Sequence, residues 1–101
     1  MKVSIKKDFL IETIANEKVL IGNGEQINFS KLVILNDTSA FIIMELQKHS
    51  SSVSVDYLTE CLIKRYDVEY DVALADIKEL LLELESQNIV TIEWYNKETE
   101  P

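Results

Sequence analysis

Glycine and proline are scarce, at two and one in 101 residues. A linker-rich or disordered chain needs more of both, so the sequence reads as one folded domain. The single cysteine, Cys61, cannot close an internal disulfide, and with the single histidine, His49, no credible metal set exists. No apolar run approaches the ~18 residues that a membrane span requires. The charged opening KVSIKK is followed by no signal-like apolar stretch, so the expected location is the cytoplasm, with no membrane contact. Positive charge is also short: 10 Lys and Arg against 18 Asp and Glu leave a net charge of −8. A phosphate backbone would be repelled by that field. Lys2, Lys6 and Lys7, and the pair Lys64-Arg65, are too sparse to offset it and read as solvated surface. No glycine-rich phosphate loop is present, and GNG at 22–24 is only a turn signal. Cys61, next to Leu62 with no base nearby in sequence, reads as a small buried hydrophobe, and His49, in a serine-rich loop, as exposed. Neither catalytic residues nor a cofactor nor a metal is assigned.

What is present is apolar residue, 47% of the chain, enough for a real core. The first third reads as strands: FLIETIA (9–15), KVLIG (18–22) and INFSKLVIL (27–35), rich in β-branched and aromatic residues. NE at 16–17 breaks the first from the second, and NGEQ at 23–26 closes the next hairpin. Ser30-Lys31 marks a candidate bulge, since alternation gives way there to the run Leu32–Leu35. Such short connections predict an antiparallel meander. The remainder reads as three helices. Asn36 caps the first, over about 37–48, with Asp37 in its first turn. Ser54 caps the second, whose Val55, Leu58 and Leu62 share a face as far as about Tyr66. The third runs from about 71 to 87 with Ala73, Ile77, Leu80, Leu81 and Leu84 as its stripe. IVTIEWY (89–95) is a last short strand or tail, and 96–101 is expected to fray. The fold class is therefore α+β: a three-stranded meander, then a three-helix unit like a winged helix, in one domain over residues 1–95.

Two features sit oddly as core alone. The third strand is long and apolar, and a meander leaves its last strand at an edge unless residues 89–95 cover it. On the third helix, Leu74, Leu81 and Leu82 lie on or beyond one border of the stripe, as extra core or as one wall of a shallow groove. The acids Asp76, Glu79, Glu83 and Glu85 read as a solvated face, with a basic partner as the alternative.

These segments resemble a known family. VILNDTSAFIIMEL is similar to the junction of strand, Leu-Asn-acidic-Thr and helix in the PqqD-like proteins. SVDYLTECLIKRYDVEYDVALADIKELLLELESQNIV resembles the rest of that domain, with the aromatic-Asp pair at Tyr66-Asp67 and the acidic-apolar pair at Asp76-Ile77. INFSKLVILN looks like its third strand, and the likeness spans roughly residues 8 to 90. Ile43, Glu45 and Tyr70 depart from the common pattern, which favours an aromatic, an apolar residue and a proline there.

The resemblance implies a RiPP recognition element: a non-catalytic peptide chaperone that binds the leader of a ribosomally made precursor peptide and presents it to a modifying enzyme such as a radical SAM protein. The leader would add as a strand to the third strand and lie against the third helix. In this sequence that implies backbone pairing along Ile27, Phe29, Leu32, Val33 and Ile34, apolar contacts from Leu32 or Ile34 and from Leu74, Leu81 and Leu82, and rim charges at Lys78 and Glu85. The expected state is a monomer or weak dimer. Two rivals use the same helices. A regulatory or adaptor subunit would dock a folded partner in that groove. A winged-helix DNA-binding protein would need a basic recognition helix, whereas residues 71–87 hold one lysine and five acids.

Overall fold

The computed structural model describes residues 1–7, 9–22 and 33–93. Its elements are β1 (Lys2–Ile5), β2 (Phe9–Ile14), β3 (Glu17–Gly22), β4 (Val33–Leu35), α1 (Asp37–Gln47), β5 (Val53–Ser54), α2 (Val55–Arg65), α3 (Tyr70–Ser86) and β6 (Val90–Glu93). The predicted meander is present as the antiparallel sheet β2-β3-β4. Its register sets Ile11 opposite Leu20, and Leu20 opposite Val33. These residues, with Phe9 and Leu35, turn to the core. The opposite face carries Leu10, Val19, Ile21 and Ile34, following the two-residue period of a strand. The predicted turn at 23–26, the candidate bulge at 30–31 and the first part of the third strand lie outside the described residues.

The break between β2 and β3 falls one residue earlier than predicted. Ala15 and Asn16 form a two-residue turn, both with positive φ (51° and 69°), between the paired Ile14 and Glu17. Positive φ at both central residues is what a tight hairpin with right-twisted strands requires.

A second sheet, β5-β1-β6, was not foreseen. KVSI alternates over only four residues inside a charged opening, yet Val3 is fully buried. β6 forms where a last strand was predicted. It pairs antiparallel with β1, Val3 opposite Ile92 and Ile5 opposite Val90, and not with the third strand.

The helices follow their caps. Asn36 Oδ1 accepts from the Ser39 amide at 2.7 Å, and Ser54 Oγ accepts from the Tyr57 amide at 3.1 Å. α3 ends in a Schellman motif: the Asn88 amide donates to Glu85 O, the Ile89 amide donates to Leu84 O, and Asn88 takes φ 63°. Leu84 and Ile89, the apolar pair of that motif, are both fully buried. The core gathers Ala40, Ile42, Ile43 and Leu46 from α1, Val55, Leu58 and Leu62 from α2, and Ala73, Ile77, Leu81 and Leu84 from α3. α1 is less enclosed than its composition suggests, because Met44 is exposed. Glu45 is buried at a position where an apolar residue is usual, and it is accommodated by Lys48, whose ammonium lies 2.9 Å from Glu45 Oε1.

Candidate functional site

The site is built on the junction of β4 with α1 and on the facing flank of α3. β4 bonds to β3 on one side, and among the described residues no strand pairs its other side. That edge offers main-chain donors and acceptors to an added strand. Val33 is half-buried toward the core, and Ile34, on the outer face, is 69% exposed.

Beside the C-terminal end of β4 lies a cleft of about 310 Å³. Asn36, Thr38 and Ser39 form its α1 wall, and Asp76, Glu79 and Glu83 its α3 wall. Ile42, Leu62, Ile77 and Leu80 supply its apolar floor. Asp76, Glu79, Leu80 and Glu83 stand at i, i+3, i+4 and i+7, which puts them on one face of α3.

The predicted site residues divide accordingly. Ile27, Phe29 and Leu32 lie outside the described residues. Val33 and Ile34 are in β4, at the unpaired edge. Leu81 is fully buried in the core and has no surface to offer a ligand. Its burial follows from its place on the stripe with Ala73, Ile77 and Leu84. Leu74 is half-buried against the core, and Leu82 is 47% exposed. At 100° per residue Leu74, Lys78 and Glu85 fall across the stripe from Asp76, Glu79 and Glu83, while Leu82, three residues from Glu79, lies on the outer face between the two flanks, and none of the four lines the cleft. The cleft thus lies on the flank of α3 that carries the acidic series Asp76, Glu79 and Glu83, for which the sequence allows a solvated face or a basic partner.

Among the described residues no group of three or more His, Cys, Asp or Glu side chains is placed to hold a metal ion. No helix among them is long and apolar enough to cross a membrane. Cys61 is half-buried on α2, away from the cleft walls.

A small antiparallel sheet with an unpaired edge, followed by three helices around a cleft, defines an α+β domain of winged-helix type. The chain belongs to the PqqD family: the family model described as coenzyme PQQ synthesis protein D (PqqD) matches residues 17–90. No curated protein matches the chain. Among solved structures, a lasso peptide synthetase B1 complexed with the leader peptide is similar at TM-score 0.67 and 22% identity, over 91% of this chain and 100% of that one. TbiB1 in complex with the TbiA(beta) leader peptide is similar at TM-score 0.69 and 14% identity, over 91% of this chain and 99% of that one. The PqqD truncation of Methylobacterium extorquens PqqCD, solved in solution as a stand-alone RiPP recognition element, is similar at TM-score 0.66 and 16% identity, over 90% of this chain and 89% of that one. At such identities these likenesses establish the fold.

Proposed function

We propose that this protein is a peptide-binding module that recognises the leader of a ribosomally made precursor peptide and presents it to a modifying enzyme, such as a radical SAM protein. The leader adds as a strand to the outer edge of β4 and lies over the cleft against α3. The observation that carries this reading is the edge itself. β6, the strand available to cover it, is paired with β1, so among the described residues β4 keeps one side unpaired beside an open cleft. Main-chain hydrogen bonds then supply affinity and the cleft supplies specificity. Family membership supports the reading, as do two neighbours of the same fold that were solved with leader peptides. The module takes no part in the chemistry and leaves catalysis to its partner.

A peptide strand and a narrow cleft bury less than a standard interface of about 1,600 Å², so affinity in the micromolar range is expected. The test is a titration of ¹⁵N-labelled protein with the leader of the precursor encoded beside the gene. Shifts concentrated in β4, the start of α1 and the Asp76–Glu83 flank of α3 are expected. Shifts confined to the Lys78–Leu82 flank, or none at all, would overturn the proposal.

A further inference from the structure

The walls of the cleft have a definite electrostatic sign. A helix N-terminus such as that of α1 attracts anions when its amides are free. Here Asn36 Oδ1 already accepts from the Ser39 amide and from the Thr38 hydroxyl at 2.9 Å, and Asp37 places a carboxylate in the first turn. Lys18 of β3 lies 3.4 Å from Asp37 Oδ1 and does not line the cleft. Facing this capped terminus are Asp76, Glu79 and Glu83, none of which forms an ion pair among the described residues. The one lysine of α3, Lys78, is on the other flank. The cleft is therefore negative, in a protein whose net charge of −8 does nothing to offset it.

A strand added to β4 presents its side chains alternately to the two faces of the sheet. One set shares the face of Val33 and Leu35, which turns toward the core, and Leu35 is followed directly by Asn36 of the cleft wall. The other set shares the outer face with exposed Ile34 and its neighbours Val19, Ile21 and Leu10. Resting on the strand-addition reading above, we infer that the protein selects an extended peptide with lysine or arginine at a cleft-facing position and apolar residues at the alternating outward positions. Lysine and arginine suit the cleft in both of their parts. The methylene stem lies along half-buried Leu80, and the cationic head reaches the carboxylates of α3.

Display of random peptides of about ten residues, long enough for a strand of about five or six, tests this directly on the immobilised full chain. Enrichment of Lys or Arg one or three positions from apolar residues, on the opposite face of the strand, is expected, as is loss of that preference in E79Q/E83Q. Reversal of the charges in E79K/E83K is expected to enrich Asp or Glu instead. The change Lys78→Gln, on the far flank, leaves the selection unchanged. For one selected basic peptide, each carboxylate removed weakens binding about twofold to fivefold at low salt. Salt near 1 M, where the Debye length is about 3 Å, removes the difference. Selection of peptides that compete at β4 but show no basic preference would overturn the charge assignment and leave strand addition standing. Selection of no peptide at all would overturn both.

Discussion

Ile92 of β6 stands directly opposite Val3 of β1, and that pairing determines what β4 has to offer. The C-terminal strand is the natural cover for the last strand of the meander. Its register with β1 runs from Lys2 opposite Glu93 to Ile5 opposite Val90, which engages all four of its residues. Val3 is fully buried and Ile92 nearly so, which anchors the pairing in the core. A sheet edge left free by such an arrangement either is protected against chance pairing or is used for binding. Charged or proline residues that commonly protect an edge are absent from Val33, Ile34 and Leu35.

The burial of Leu81 beside the exposure of Leu82 separates packing from binding on α3. Leu81→Ala should destabilise the fold by about 2–5 kcal/mol, the usual cost of emptying a filled core site. Leu82→Ala should change stability by no more than about 0.5 kcal/mol and leave peptide affinity unchanged. Urea unfolding of both variants checks the first pair of values, and a peptide titration checks the last.

Asn36 ends a strand, begins a helix and forms part of the cleft wall. Asn36→Ala should cost about 1 kcal/mol through loss of the cap. Asn36→Asp keeps the acceptor and should retain most of that stability. Thermal unfolding followed by circular dichroism distinguishes the two.

Much of the fold was legible in the sequence because local chemistry decided it. Asn36 and Ser54 are capping residues in front of amphipathic runs, and they do cap. Val55, Leu58 and Leu62 are spaced for one helix face, and all three are buried. The second sheet was not legible. β1 and β5 hold four and two residues, too few to show a period, and their pairing joins positions about fifty to ninety residues apart. The open edge follows from strand order, whereas the flank of α3 that faces α1 across the cleft depends on how that helix is rotated, which no periodicity within α3 reveals. Both flanks border the same apolar stripe, one carrying leucines and the other carboxylates.

Ala15 sits at φ 51°, a left-handed conformation that disfavours any side chain bearing Cβ. Ala15→Gly should relieve about 1 kcal/mol of that strain, less the entropy that glycine adds to the unfolded chain. The midpoint of chemical denaturation should therefore hold or rise. A marked fall would contradict the turn assigned to residues 15 and 16.

The Tyr70 hydroxyl donates to Asp56 Oδ1 at 3.0 Å and ties the start of α3 to the start of α2. The hydrogen bond to Asp56 holds the hydroxyl above its ordinary value, aided by desolvation and by the charges of Asp56, Glu60 and Asp71. An acid whose value is raised in the folded state contributes stability below its unfolded value, and that contribution is lost as pH rises through the folded one. The stabilisation is thus complete below about pH 10 and disappears above it. Spectrophotometric titration should show a tyrosinate component above the ordinary range that Tyr70→Phe diminishes, leaving the part due to Tyr57, whose hydroxyl is also raised by its hydrogen bond with Cys61. The variant should also lose less stability than the wild type on going to strongly alkaline pH.

The central claim is that β4 receives a strand from another molecule, and amide hydrogen exchange measures this most directly. The β4 amides that point away from β3 should exchange readily in the free protein and become protected when the leader of the neighbouring precursor is bound. β1 and β6, already paired with each other, should change little. Binding without new protection in β4, or protection that appears instead along β6, would contradict the account.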